Sequence, residues 1–249
     1  MGNIIAIGGG EIGRPGFPVE TTAIDKEIIR LSGQKRPRFL FLPTASSDSR
    51  SYAKVVDKHF GQDLGCAVSS LFLFDKNLVR KEIEKQIMAS DIIYVGGGNT
   101  LKMLRRWRQL GVDRMLRAAH KRGIVLSGVS AGAICWAAYG NSDSLTFSRK
   151  DAPLIRVRGL NLIKISLCPH YDGEKKRPPD LKKMMRRTPG IAIALDNCAA
   201  LEIIDNKFRI VTSKKSAGAY KAYWKNGKYR IKGLISGPSA PIEKLLIKD

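Results

Sequence analysis

Ser130 stands at the centre of Gly128-Val129-Ser130-Ala131-Gly132, a G-x-S-x-G pentapeptide flanked by two apolar runs. The run before it, Ile124-Val125-Leu126, has strand length. The run after it, Ala133–Ala138, is apolar all round and reads as a buried helix. Strand, sharp turn with a central serine, then helix is the layout of a nucleophile elbow. Small neighbours let the backbone bend hard enough to lift a hydroxyl clear of a sheet. The free N–H groups and positive dipole end of the helix favour an anion developing at the same spot. Taken alone, the pentapeptide is equally well a packed strand-to-helix turn. A membrane span is the other plain reading, because no charge occurs from Gly123 to Ser142. Three glycines and two serines interrupt the first half of that run and argue against it.

A serine is a poor nucleophile until a base takes its proton. The chain holds three histidines. His59 lies near the edge of a helical apolar stripe, and His120 sits among basic residues before Gly123, so both read as structural. His170, in Cys168-Pro169-His170-Tyr171-Asp172, follows a strand and is the candidate base. Such an imidazole works best when a carboxylate fixes its tautomer, and Asp143, Asp172 and Asp196 are candidates. An oxyanion needs two backbone donors. The Ala131 N–H is one, and the N–H of Gly97 or Gly98 is the other. Those two glycines belong to Gly96-Gly97-Gly98-Asn99-Thr100, a loop that opens a helix with Asn99 or Thr100 as N-cap. Bare N–H groups in such a loop bind anions, and Gly97 and Asn99 are candidates for holding substrate. The Lys-Ser/Thr of a P-loop is missing. In an α/β-hydrolase the acid lies between serine and histidine. Asp143 lies in that interval, but only thirteen residues past Ser130.

The elements that must position these groups alternate. Strands are predicted at Asn3–Ile7, Arg38–Leu42, Val68–Phe74, Asp91–Val95 and the elbow. Helices are predicted near Thr21–Leu31, around Tyr52–Phe60, around Ile83–Ile87, from Leu101 and over Val112–His120. That alternation means a mostly parallel sheet covered on both faces, in which ligands bind beyond the carboxyl ends of the strands. Gly8–Gly13, Pro43–Ser49, Gly96–Thr100 and Ser130 all lie at such ends. Gly8-Gly9-Gly10-Glu11-Ile12-Gly13 matches G-x-G-x-x-G literally, but Pro15 and Pro18 leave no helix N-terminus there for a pyrophosphate. Gly140–Ser144 reads as a polar loop, Leu162–Leu167 as a strand, and Lys175–Arg187 as a loop and a solvated helix. Ile191–Leu195, Ala200–Ile204 and Phe208–Val211 follow as short strands. Asn226-Gly227 between Ala222–Trp224 and Tyr229–Lys232 signals a hairpin. One domain over residues 1–249 is expected, with 205–249 as an antiparallel extension.

The 249 residues are 43% hydrophobic and 27% charged, enough to bury a core without disulfides. The net charge of +22 attracts acidic partners, although a basic solvated surface is the simpler account. The basic stretch Lys175–Arg187 lacks the interleaved aromatics of a base-stacking surface, which argues against nucleic acid. Four cysteines without a C-x-x-C suggest neither a zinc site nor a dithiol centre, and fit a reducing compartment. The first ten residues lack the features of a secretion signal. A cytoplasmic protein without metal or cofactor, monomeric or homodimeric, is expected.

Five stretches together resemble the dipeptidase E (aspartyl dipeptidase) and cyanophycinase family of serine peptidases. They are Gly8-Gly9-Gly10-Glu11, Leu42-Pro43-Thr44-Ala45-Ser46, Gly96–Thr100, Gly128–Ala133 and Pro169-His170-Tyr171-Asp172, in the family's order and spacing. The resemblance implies a three-layer α/β/α sandwich, similar to the class I glutamine amidotransferase domain and flavodoxin-like. It implies Ser130 as nucleophile, His170 as base, and an oxyanion hole of Gly98 and Ala131. For the third member it implies either Asp143, in the loop after the elbow helix, or a glutamate whose position aligns with Asn197. In the latter case neighbouring Asp196 is the substitute. The substrates implied are small peptides, often with an acidic residue before the scissile bond. A catalytically silent binding protein of the same fold and a basic nucleic-acid-associated protein are the alternatives. A glutamine amidotransferase would want a cysteine in place of Ser130.

Overall fold

A computed structural model of the chain describes residues 2–248. In chain order it begins β1 (Ile4–Ile7), α1 (Thr22–Leu31), β2 (Arg38–Leu42), α2 (Arg50–Val56) and β3 (Ala67–Ser70). Next come α3 (Arg80–Met88), β4 (Ile92–Val95), α4 (Thr100–Leu110), α5 (Val112–Lys121), β5 (Val125–Val129) and α6 (Ala131–Ile134). Then follow β6 (Ala137–Ser142), β7 (Ile155–Arg158), β8 (Ile163–Cys168), α7 (Arg177–Arg186), β9 (Ala192–Leu195) and β10 (Ala199–Ile204). The chain closes with β11 (Lys207–Thr212), β12 (Ala219–Lys225), β13 (Lys228–Leu234), β14 (Ala240–Pro241) and α8 (Ile242–Leu246).

The strands form two sheets. The first has eight strands in the order β14-β11-β10-β1-β5-β4-β2-β3. From β1 to β3 it is parallel, and β10, β11 and β14 join it antiparallel. The second has six strands, β13-β12-β9-β8-β6-β7. The expected single parallel sheet with an antiparallel extension is therefore corrected. The closing strands do pair antiparallel, but β11 and β14 widen the first sheet while β12 and β13 widen the second.

Side chains alternate across the first sheet, as the two-residue period of a strand requires. Ile5, Ile7, Phe39, Phe41, Ile92 and Tyr94 pack with α1 and α2 on one face. Ile4, Ala6, Leu40, Leu42, Ile93 and Val95 pack with α3, α4 and α5 on the other. The latter cluster continues through Trp136, Ile165 and Ile193 into the second sheet, so both sheets share one core.

Three local expectations change. The run after the elbow is helical only as far as Ile134, and Ala137–Ser142 is a buried strand. An apolar run of that length carries no period that separates a buried helix from a buried strand. Residues 140–142, expected in a loop, are the end of that strand. The helix in the basic stretch is not simply solvated: α7 buries Arg177, Leu181 and Met185 against the second sheet. Among the described residues no helix is long and apolar enough to cross a membrane.

Candidate active site

Strand β5 ends in the first sheet and delivers Ser130 at φ 57°, a left-handed value that a side chain adopts only when its surroundings hold it there. The Ser130 N–H donates to the Ile7 carbonyl at 3.0 Å, and its own carbonyl accepts from Ala133 and Ile134 as α6 begins. Strand β8 ends in the second sheet and delivers His170, also at positive φ (53°). The His170 N–H donates to the Gly8 carbonyl, which ties this loop to the end of β1.

Across that junction the His170 Nε2 and Ser130 Oγ lie 2.8 Å apart. The other ring nitrogen, Nδ1, lies 2.7 Å from Oδ1 of Asn197, on the turn from β9 to β10 where the chain crosses between sheets. An amide oxygen only accepts, so Nδ1 carries the proton and Nε2 offers its lone pair to the serine hydroxyl. The Asn197 N–H is held by the Asp172 carboxylate at 2.8 Å. Gly9 packs directly against this pair, and a Cβ there would overlap both the Asn197 amide oxygen and the His170 ring.

The carboxylates singled out from sequence sit elsewhere. Asp143 follows β6, whose end is fastened to the start of α4 by Ser142 on Thr100 and by Ser144 on Leu101 and Asn99. Its carboxylate bonds to no described residue. Asp196 is engaged elsewhere: its Oδ2 accepts from the Gly218 N–H at 2.8 Å and the Tyr220 hydroxyl at 3.3 Å. Burial pushes its pKa up, against those hydrogen bonds. Both nitrogens of His170 are already engaged, so neither Asp143 nor Asp196 is its partner in this arrangement.

The glycine loop after β4 faces the serine. Gly98 has φ 136°, and any Cβ there would run into the Ala45 backbone. Among the described residues no acceptor takes the N–H of Gly98 or of Ala131. The Gly97 N–H lies 3.5 Å from the Tyr52 hydroxyl. Burial pushes that phenol up to about 12, so it stays protonated. Asn99 is the N-cap of α4: its Oδ1 accepts from the Lys102 N–H and its Nδ2 donates to the Ser144 carbonyl. Its side chain thus fastens the loop and does not line the cleft.

Ser130, His170, Gly97 and Gly98 open into a cleft of about 1070 Å³. The loop from Gly10 to Phe17 and residues of α2 also line it. Glu11 staples that loop. Burial raises its carboxyl, but hydrogen bonds from the Arg14 and Ile12 amides and the Arg14 guanidinium outweigh this and hold it low. Gly10 to Gly13 of the literal G-x-G-x-x-G therefore line this cleft, and Gly9 before them makes room for the histidine. Among the described residues no group of His, Cys, Asp and Glu side chains could hold a metal ion.

Asn197 is the feature that sequence reasoning placed without giving it a role. Its alignment with an expected glutamate was the available signal. Arg177 gave no signal. It is buried, donates to the Asn141 carbonyl at 2.6 Å and to Glu174 at 2.8 Å, and so anchors the turn that follows His170.

In this mixed α/β fold two sheets meet at a serine of positive φ, an imidazole and a glycine loop. The pattern of peptidase family S51 matches residues 4–211, and the chain belongs to that family. It is 40% identical over 225 residues to the uncharacterized peptidase YgaJ of Bacillus subtilis, covering 89% of this chain and 92% of that one. It is 30% identical over 152 residues to Peptidase E of Shewanella denitrificans, covering 58% of each. Its fold is similar to the crystal structure of a peptidase from an acI-B1 Actinobacterium, with a TM-score of 0.73 at 20% identity over 96% of both chains.

Proposed function

We propose that this peptidase works by serine catalysis on dipeptides or other small peptides, through an acyl-enzyme on Ser130. The observation that carries this is the unbroken line from Ser130 Oγ through His170 to Asn197, with contacts of 2.8 and 2.7 Å. In this reading Ser130 Oγ bonds to the peptide carbonyl carbon while its proton passes to His170 Nε2. The carbonyl oxygen, now an anion, lies between the N–H groups of Gly98 and Ala131. The C–N bond then breaks as His170 returns the proton to the leaving amine. Water repeats the sequence to free the acid. Asn197 keeps the imidazole in the tautomer that accepts from serine, as the amide does in Cys-His-Asn sites.

An acidic residue before the scissile bond suits the basic cleft and the +22 charge. Helices on both faces of the first sheet support a three-layer arrangement like that of class I glutamine amidotransferase domains. Four buried, unpaired cysteines support a reducing, cytoplasmic setting.

A fluorophosphonate probe should label the wild-type chain and leave Ser130→Ala unlabelled. Equal labelling of the two proteins would overturn the assignment. The amide at 197 favours one competing reading, a silent binder of small ligands. A dipeptide panel separates the two, since a silent protein turns over none of its members.

A further inference from the structure

One side of α2 faces the cleft. Ser51, Tyr52, Lys54 and Val55 line it from α2, and Lys58 follows from the π-helical turn Asp57–Asp63 that continues the helix. Two of the three cations in the cleft wall are already matched. The Arg14 guanidinium is held by Glu11 at 2.6 Å. The Lys58 ammonium is held by Asp63 at 2.9 Å. Lys54 has no carboxylate partner among the described residues. Glu11 is the only acid lining the cleft among those residues, and it already accepts from two backbone amides and from Arg14. The cleft therefore offers one uncommitted positive charge and no uncommitted negative one among the described residues. Ile12, Phe17 and Val55 line the same cleft, while Lys54 is itself exposed, so an ion pair formed there is partly solvated.

We infer that Lys54 reads a carboxylate of the peptide bound in this cleft and sets which peptides the site prefers. The inference rests on the reading of the cleft as a small-peptide site. The same carboxylate chemistry has two sources: an acidic side chain on the acyl side, or the free C-terminus of a short peptide on the leaving side. Either one places a negative oxygen against a lysine that nothing else neutralises.

The test measures binding, so it does not depend on turnover. Calorimetry on Ser130→Ala with Asp-Leu, Asp-Leu-NH2, Ala-Leu and Ala-Leu-NH2 gives two ratios of Kd. One isolates the acidic side chain and the other the free C-terminus. Adding Lys54→Met should collapse one of them by about tenfold, the scale of a partly solvated charge-assisted hydrogen bond. Lys54→Arg in the same background should restore most of it. A collapse of the Asp-Leu-NH2 to Ala-Leu-NH2 ratio assigns the side chain, and a collapse of the Ala-Leu to Ala-Leu-NH2 ratio assigns the terminus. A uniform loss for all four ligands would mark Lys54 as merely structural and overturn the inference. Ratios that stay unchanged, or that are absent because no peptide binds, would overturn it as well. The labelling of Ser130 is read separately, so failure of the serine assignment is told apart from failure of this one.

Discussion

The Asn197 amide oxygen lies 2.7 Å from Nδ1 of His170, in the place where a carboxylate was expected. An amide orients the ring as a carboxylate does, but it supplies no charge to steady an imidazolium. Asn197→Ala should therefore lower kcat by about tenfold, the worth of one orienting hydrogen bond. Asn197→Asp should keep kcat at or above the wild-type value. It should also displace the acid limb of the kcat/KM profile to higher pH, because an anion beside the ring favours its protonated form. Pre-steady-state and pH–rate measurements on a cleaved dipeptide check both. An Asn197→Ala protein with wild-type kcat would show that the contact does not orient the base.

Arg177 should matter to turnover although it never reaches the cleft. Its guanidinium joins Glu174, whose N–H donates to the His170 carbonyl at 3.1 Å, to the buried Asn141 carbonyl. Arg177→Met leaves that carbonyl without its donor, at a cost of about 1–3 kcal/mol. Denaturant unfolding should show that loss, and kcat should fall more than KM rises because the histidine turn loosens. Arg177→Lys should rescue little, since an ammonium cannot span both partners. Unchanged kcat in a folded Arg177→Met protein would remove the positioning role.

Asp91 makes a pH prediction with a definite sign. Hydrogen bonds from the Arg38 guanidinium, at 2.7 and 3.1 Å, are the main reason its carboxyl lies below the ordinary value of 3.8. Partial burial opposes them and the Arg38 amide reinforces them. A depressed folded pKa means that the unfolded chain takes the proton first. The stability due to this group is present above 3.8 and is lost as pH falls toward the folded value. Asp91→Asn should therefore lose less stability on acidification than the wild type. Urea midpoints between neutral pH and pH 3 measure it, and parallel curves for the two proteins would show that the pair contributes nothing.

Much of this molecule was legible from short-range pattern. The strand Arg38–Leu42 falls where its apolar run places it. The hairpin closes on Asn226 and Gly227 at φ 50° and 71°, the positive values that an Asn-Gly turn supplies without strain. The elbow likewise announces itself, because a bend that tight needs small residues at fixed offsets. These features follow from backbone sterics and side-chain period over a few residues, and the chain states them locally.

The partner of the histidine was decided elsewhere. Ser130 and His170 are 40 residues apart, and His170 and Asn197 are 27 apart. Their meeting depends on one sheet ending against another, with the chain crossing between them at Asn197. Asp143 and Asp196 have the right chemistry, but neither meets the histidine: Asp143 follows the end of β6, where neighbouring Ser144 is bonded to α4, and Asp196 bonds to Gly218 and Tyr220. Residue type names which groups could act. Only the packing of two sheets on a shared core fixes which of them come within hydrogen-bond reach, because that distance is set by contacts remote in sequence.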